Sequence, residues 1–164
     1  MAKNCVVIRD LPSQNAVDYR FGVMESDIQN GHVVALDTLK EHDLWTAKAS
    51  TDAANLWLVT GVELMYEENP RKHLWDYINE AGKAFRCERV LAGGIYSIST
   101  EGLTIAAEST DLVAGAAVIF KSGDTKLTVA KSATGNVVGK VIEVYTKAGM
   151  KFAAIEFGKA VANA

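Results

Sequence analysis

From Gly82 to Phe157 the chain alternates short runs of β-branched and aromatic residues with glycine-bearing turns, and that rhythm limits the folds open to it. Phe85, Cys87, Arg89 and Leu91 alternate with Arg86, Glu88 and Val90, so one face of the stretch is mostly apolar, as a half-buried strand requires. Ala92-Gly93-Gly94 interrupts it. Paired glycines accept positive φ without steric penalty, so this break reads as a hairpin turn with Tyr96, Ile98 and Thr100 on the return strand. Residues 113–120 (VAGAAVIF), 126–130 (KLTVA), 137–146 (VVGKVIEVYT) and 150–157 (MKFAAIEF) are further strand candidates, separated by turn signals at Gly123, Gly135 and Gly149. This spacing predicts an antiparallel meander that closes into a small barrel or sandwich.

The first half is less regular. An apolar run at Cys5-Val6-Val7-Ile8 is followed by a polar stretch broken by Tyr19, Phe21, Val23 and Met24. Residues 1–30 are therefore read as an extended N-terminal arm or a peripheral segment, the latter a loop followed by one strand, and 31–164 as a single β-rich domain. Asn30-Gly31 is a turn signal leading to a β run at residues 32–36, a polar loop through Lys40-Glu41-His42-Asp43 and a short strand at 45–49. Residues 56–65 (LWLVTGVELM) suit a strand covered on both faces, with Gly61 marking a bulge or a close backbone approach. One short helix is expected over about 70–81. Asn69 and Pro70 favour its start, Leu74, Tyr77, Ile78 and Ala81 recur at helical spacing, and Gly82 suits its end. Residues 104–111 are expected to be a connection.

The length of 164 residues suits one domain with a substantial core. No apolar run approaches the roughly 18–20 residues of a membrane-spanning helix, and the N-terminus has no signal-peptide pattern, so a cytosolic origin is expected. Cys5 and Cys87 are far apart and lack a metal-ligand spacing, so both are expected to be reduced and structural. The net charge of −3 is unevenly spread: residues 1–82 hold 7 Lys/Arg against 13 Asp/Glu, and residues 83–164 hold 10 against 7. The C-terminal lysines are scattered over successive strands and turns instead of forming a basic stripe, so direct nucleic-acid binding is not expected. The asymmetry suits head-to-tail contacts between copies.

No catalytic constellation emerges. His32, His42 and His73 share no motif, and Glu67-Glu68 is better explained by the dipole of the helix expected after it. Nucleotide, zinc-protease, thiol-redox and hydrolase signatures are missing, so no enzyme activity, cofactor or metal is expected. Trp45, Trp57 and Trp75, with Tyr19 and Phe21, are candidates for a ligand groove, although aromatic residues more often fill cores and interfaces.

The second half nonetheless resembles one family. Ala81-Gly82-Lys83-Ala84-Phe85-Arg86, Leu91, Gly93-Gly94, Tyr96-Ser97-Ile98-Ser99, Glu101 and Leu103 follow the framework pattern of tailed-bacteriophage head decoration (capsid cement) proteins. Ala114 to Val118, Gly139-Lys140-Val141-Ile142-Glu143-Val144, Gly149, Phe152 and Ile155 continue the resemblance. It implies a structural virion protein on the capsid exterior, passing through the host cytoplasm during assembly. Its partners would be the major capsid protein and neighbouring copies of itself, and neither nucleic acid nor membrane would be bound. Tyr19, Arg20 and Phe21 are the candidate capsid contacts, carried on an arm that lies over a capsid edge or adds a strand to it. A tail-tube or baseplate component and a virion-surface carbohydrate-binding β module are the alternatives.

Overall fold

The computed structural model describes residues 6–8, 19–61, 77–106, 112–132 and 135–158. The strands are β1 (Val6–Ile8), β2 (Tyr19–Val23), β3 (Val33–Glu41), β4 (Leu44–Lys48), β5 (Trp57–Val59), β6 (Ala84–Arg89), β7 (Ile95–Ser99), β8 (Leu103–Ile105), β9 (Ala117–Phe120), β10 (Leu127–Ala130), β11 (Asn136–Lys147) and β12 (Met150–Phe157). They form two units of sheet. A closed barrel runs β2-β4-β3-β5-β6, and a seven-stranded sheet runs β1-β7-β12-β11-β9-β10-β8. The expectation of a mainly β protein with a small barrel is met.

Period-two alternation explains how the barrel and the sheet share a wall. In β3 and β5, Val34, Trp57 and Val59 turn inward, where they pack with Leu36, Ala47, Phe85 and Cys87 in the barrel core. Val33 and Leu58 turn outward, into a second core with Ile98, Leu127, Val141, Ile155 and Phe157 of the sheet. Buried on both faces, β5 needs the unbroken apolar run that the sequence supplies. Polar contacts reinforce the seam. Val33 donates its N–H to the Thr125 carbonyl at 2.7 Å, and Gly123 donates to Ser50 at 2.8 Å.

Gly61 is a close-approach glycine, as its place in an apolar strand suggested. Its N–H donates to Asn30 Oδ1 at 2.8 Å, and its carbonyl accepts from Asn30 Nδ2 at 3.1 Å. Asn79 Nδ2 donates to the same Asn30 oxygen and to the Ile28 carbonyl, both at 3.1 Å. A Cβ on Gly61 would overlap Asn79 Oδ1. This buried clasp joins the approach to β3, the end of β5 and the approach to β6.

Several expectations are corrected. Residues 77–81 are not helical: Asn79 forms a β-bridge with Ile28, and both of its backbone groups bond there at 2.9 Å. Tertiary pairing overrides the helical spacing; residues 70–76 lie outside the described residues. The Gly93-Gly94 turn does not close a hairpin. It carries the chain out of the barrel at β6 and into the sheet at β7, with its backbone bonded to Phe157 in both directions. Glycine chemistry specifies a reversal, not the strand that pairs after it.

The polar stretch at 40–43 is only in part a loop, because β3 continues to Glu41 and leaves His42 and Asp43 as its turn into β4. The first two residues of the connection expected over 104–111 belong to edge strand β8, parallel to β10, and 107–111 lie outside the described residues. Finally, residues 19–23 are not an extended arm. They form β2, which pairs with β4 on one side and β6 on the other.

Candidate functional site

Placing β2 in the barrel changes what Tyr19, Arg20 and Phe21 can do. β2 pairs with β6 along its whole length and with β4 from Phe21 to Val23, which leaves too little open edge for it to add itself as a strand to a partner's sheet. Recognition must run through side chains. Gly22 faces the barrel interior, where a Cβ would meet the Phe85 ring at 3.0 Å, and by alternation Arg20 points toward the same interior near the barrel mouth. Tyr19 and Phe21 face outward.

The mouth is lined with aromatic and aliphatic side chains. The Arg20 guanidinium lies 4.3 Å from the centroid of the Trp45 ring and 5.4 Å from that of Trp57. Such cation–π contacts contribute about 0.5–2 kcal/mol, depending on solvation. Beyond them opens a groove of about 460 Å³ lined by Tyr19, Arg20, Phe21, Leu39, His42, Asp43 and Trp45. Phe21 is 42% exposed and Leu39 is 50% exposed, so two large apolar side chains meet water on one groove. The structure therefore brings all three singled-out residues together with Trp45. Trp57 serves the barrel core, and Trp75 lies outside the described residues.

Sequence reading missed Leu39, His42 and Asp43 because they fall in a stretch taken for a polar loop. The signal was there: an isolated Leu among charged residues, ahead of a two-residue turn. His42 adopts φ 46°, a left-handed conformation that tightens the turn and sets the groove's rim.

A second arginine makes the contrast. Arg86, on the outer face of β6, pairs with Glu88 at 2.6 Å and stands 5.3 Å from the Tyr19 ring centroid. Glu88 is buried and also accepts a hydrogen bond from the Tyr96 hydroxyl of β7 at 3.5 Å, tying barrel to sheet. That pair is internal to the fold.

The remaining chemical candidates are dispersed. His32 sits at the seam, its Nδ1 3.3 Å from the Thr125 hydroxyl. Burial, with Lys126 nearby, lowers its pKa to about 4, so the ring is neutral at pH 7. The Cys87 thiol donates to the Arg20 carbonyl at 3.3 Å, and burial pushes its pKa up to about 12. A thiol held so far from ionisation is a poor nucleophile. His73, Cys5 and Glu67-Glu68 lie outside the described residues. Among the described residues no three His, Cys, Asp or Glu side chains come together as a metal site, and no helix is long and apolar enough to cross a membrane. What the arrangement offers chemically is a shallow, partly apolar contact surface with one cation in it. Neither a protein-family model nor a curated protein matches this chain.

Proposed function

We propose that this protein is a structural virion component that decorates the phage head, binding across major capsid protein subunits and bracing the shell. The observation that carries the binding part is the groove at the barrel mouth, where Phe21 and Leu39 stand exposed beside Tyr19, Arg20 and Trp45. Large apolar side chains grouped on one surface mark interaction sites more often than isolated ones do. The resemblance of the chain's framework residues to those of head decoration proteins supports the capsid as the partner. Each contact is modest, and many copies on a lattice act together through effective concentration. A glycan-binding reading draws less support, because Arg20 already covers a face of Trp45 that a sugar ring would stack on.

The test is co-sedimentation of the purified protein with expanded heads that carry their own major capsid protein but lack this chain. Saturable binding at a fixed ratio to capsid subunits, with heads becoming harder to rupture by heat, is the expected result. An absence of binding, with rings or stacks forming in solution instead, would move the assignment to a tail-tube or baseplate component.

A further inference from the structure

We propose that the barrel mouth reads a carboxylate: Arg20 receives an Asp or Glu side chain of the capsid subunit while Phe21 and Leu39 cover the apolar residue beside it. This deepens the reading above and rests on it. Two arginines on neighbouring strands carry the argument by their difference. Arg86 has a carboxylate of its own in Glu88, at 2.6 Å. Among the described residues Arg20 has no such partner: none of their carboxylates lies within ion-pair distance of it, and the contacts its guanidinium makes with them are to the Trp45 and Trp57 rings.

A cation–π contact does not use up N–H donors as an ion pair does, and a guanidinium can offer two of them at once to a carboxylate. The rings thus preorganise the cation without satisfying its donors. The groove also sets limits on what enters. Asp43 on the rim repels a second carboxylate, while exposed Phe21 and Leu39 favour an apolar neighbour. The ligand class is therefore one acidic residue flanked by aliphatic or aromatic residues. Because β2 is paired along one edge and over Phe21–Val23 on the other, the segment is held by side chains and not by an added strand.

The experiment compares wild type, Arg20→Gln and Arg20→Lys for binding to heads lacking this chain, using untreated heads and heads whose surface carboxylates have been amidated. Wild type is expected to lose about tenfold or more in affinity on Arg20→Gln, the usual scale for a hydrogen bond to a charged group, with Arg20→Lys in between. Amidation is expected to weaken wild type by a similar factor and to leave the residual Arg20→Gln binding unchanged. Equal binding by wild type and Arg20→Gln overturns this inference and leaves the decoration reading standing. Failure of wild type to bind any heads overturns both. If Arg20→Gln does not fold, the amidation arm decides, and undiminished wild-type binding to amidated heads overturns the inference. A self-associated wild type that Arg20→Gln converts to monomer, with no change in head binding per copy, assigns Arg20 to contacts between copies and overturns it as well.

Discussion

The barrel and the seven-stranded sheet use the same kind of strand in opposite ways. The sheet packs aliphatic and aromatic residues into a closed core, and its strands β9 and β10 are buried along their whole length. The barrel fills its middle with Phe85 over Gly22, then stops filling. Toward its mouth, packing gives way to a cation between tryptophans and then to exposed Phe21 and Leu39. One region is built for cohesion, while the other is left unfinished on its outer end. The sheet half also exposes Val113 and Ile142, but the mouth groups two large apolar side chains in one groove, and such a surface suits contact with something else.

The comparison breaks most decisively at the shared wall. Leu58, fully buried between barrel and sheet, is expected to cost about 2–5 kcal/mol when cut to Ala, since a buried leucine leaves both a lost transfer energy and a cavity. Chemical denaturation followed by tryptophan fluorescence, to which the barrel residues Trp45 and Trp57 contribute alongside Trp75, and by circular dichroism should give coincident transitions. Separate transitions would show that the two regions are independent.

The seam also predicts a pH dependence. His32 has a folded-state pKa near 4 against an ordinary 6.5 for a solvated imidazole, so between those values the unfolded chain binds the extra proton. Its contribution to stability is complete above about pH 6.5, is lost as pH falls toward 4, and changes little below that. The total is up to about 3 kcal/mol. Stability measured from pH 7 to 4 should fall less steeply in His32→Gln than in wild type. Parallel profiles would remove His32 from the account.

On the barrel side, Gly61→Ala is expected to cost about 1–3 kcal/mol, because the new methyl displaces Asn79 from Asn30 and leaves buried amides poorly paired. Thermal unfolding checks it. In the sheet's β11–β12 hairpin, Ala148 sits at φ 51° beside Gly149 at φ 78°. Asn tolerates that conformation better, so Ala148→Asn should gain about 0.5–1 kcal/mol. The smallest effect is expected at the mouth. Phe21→Ser and Leu39→Ser should each change stability by less than about 0.5 kcal/mol, as surface substitutions do, while weakening head binding.

Strand content and most turns were legible in the sequence because alternation and glycine act locally. Gly123 and Gly149 turn where their neighbours said they would, and of the strand expected over 56–65, Trp57–Val59 is a strand covered on both faces while 62–65 lie outside the described residues. Pairing was not legible. Nothing in Arg89-Val90-Leu91-Ala92-Gly93-Gly94 distinguishes a hairpin from a passage between two sheets, since that depends on the β5 and β12 partners far away in the chain. The helical spacing through Ala81 misled for a related reason: the Asn79–Ile28 bridge and the buried Asn30 amide fix residues 77–81 from outside. At the site, Tyr19, Arg20 and Phe21 stood out as aromatic and basic residues in a polar stretch. Leu39 did not, because only the β3–β4 pairing brings it opposite Trp45.

The most direct test of the central claim is oxidative side-chain footprinting of the protein free and bound to expanded heads. The barrel mouth as docking surface predicts protection of Tyr19, Phe21, Leu39 and Trp45 on binding, with exposed Ile142 and Val113 of the sheet half unchanged. Protection of Ile142 and Val113, with Phe21 and Leu39 still oxidised as in the free protein, would contradict it.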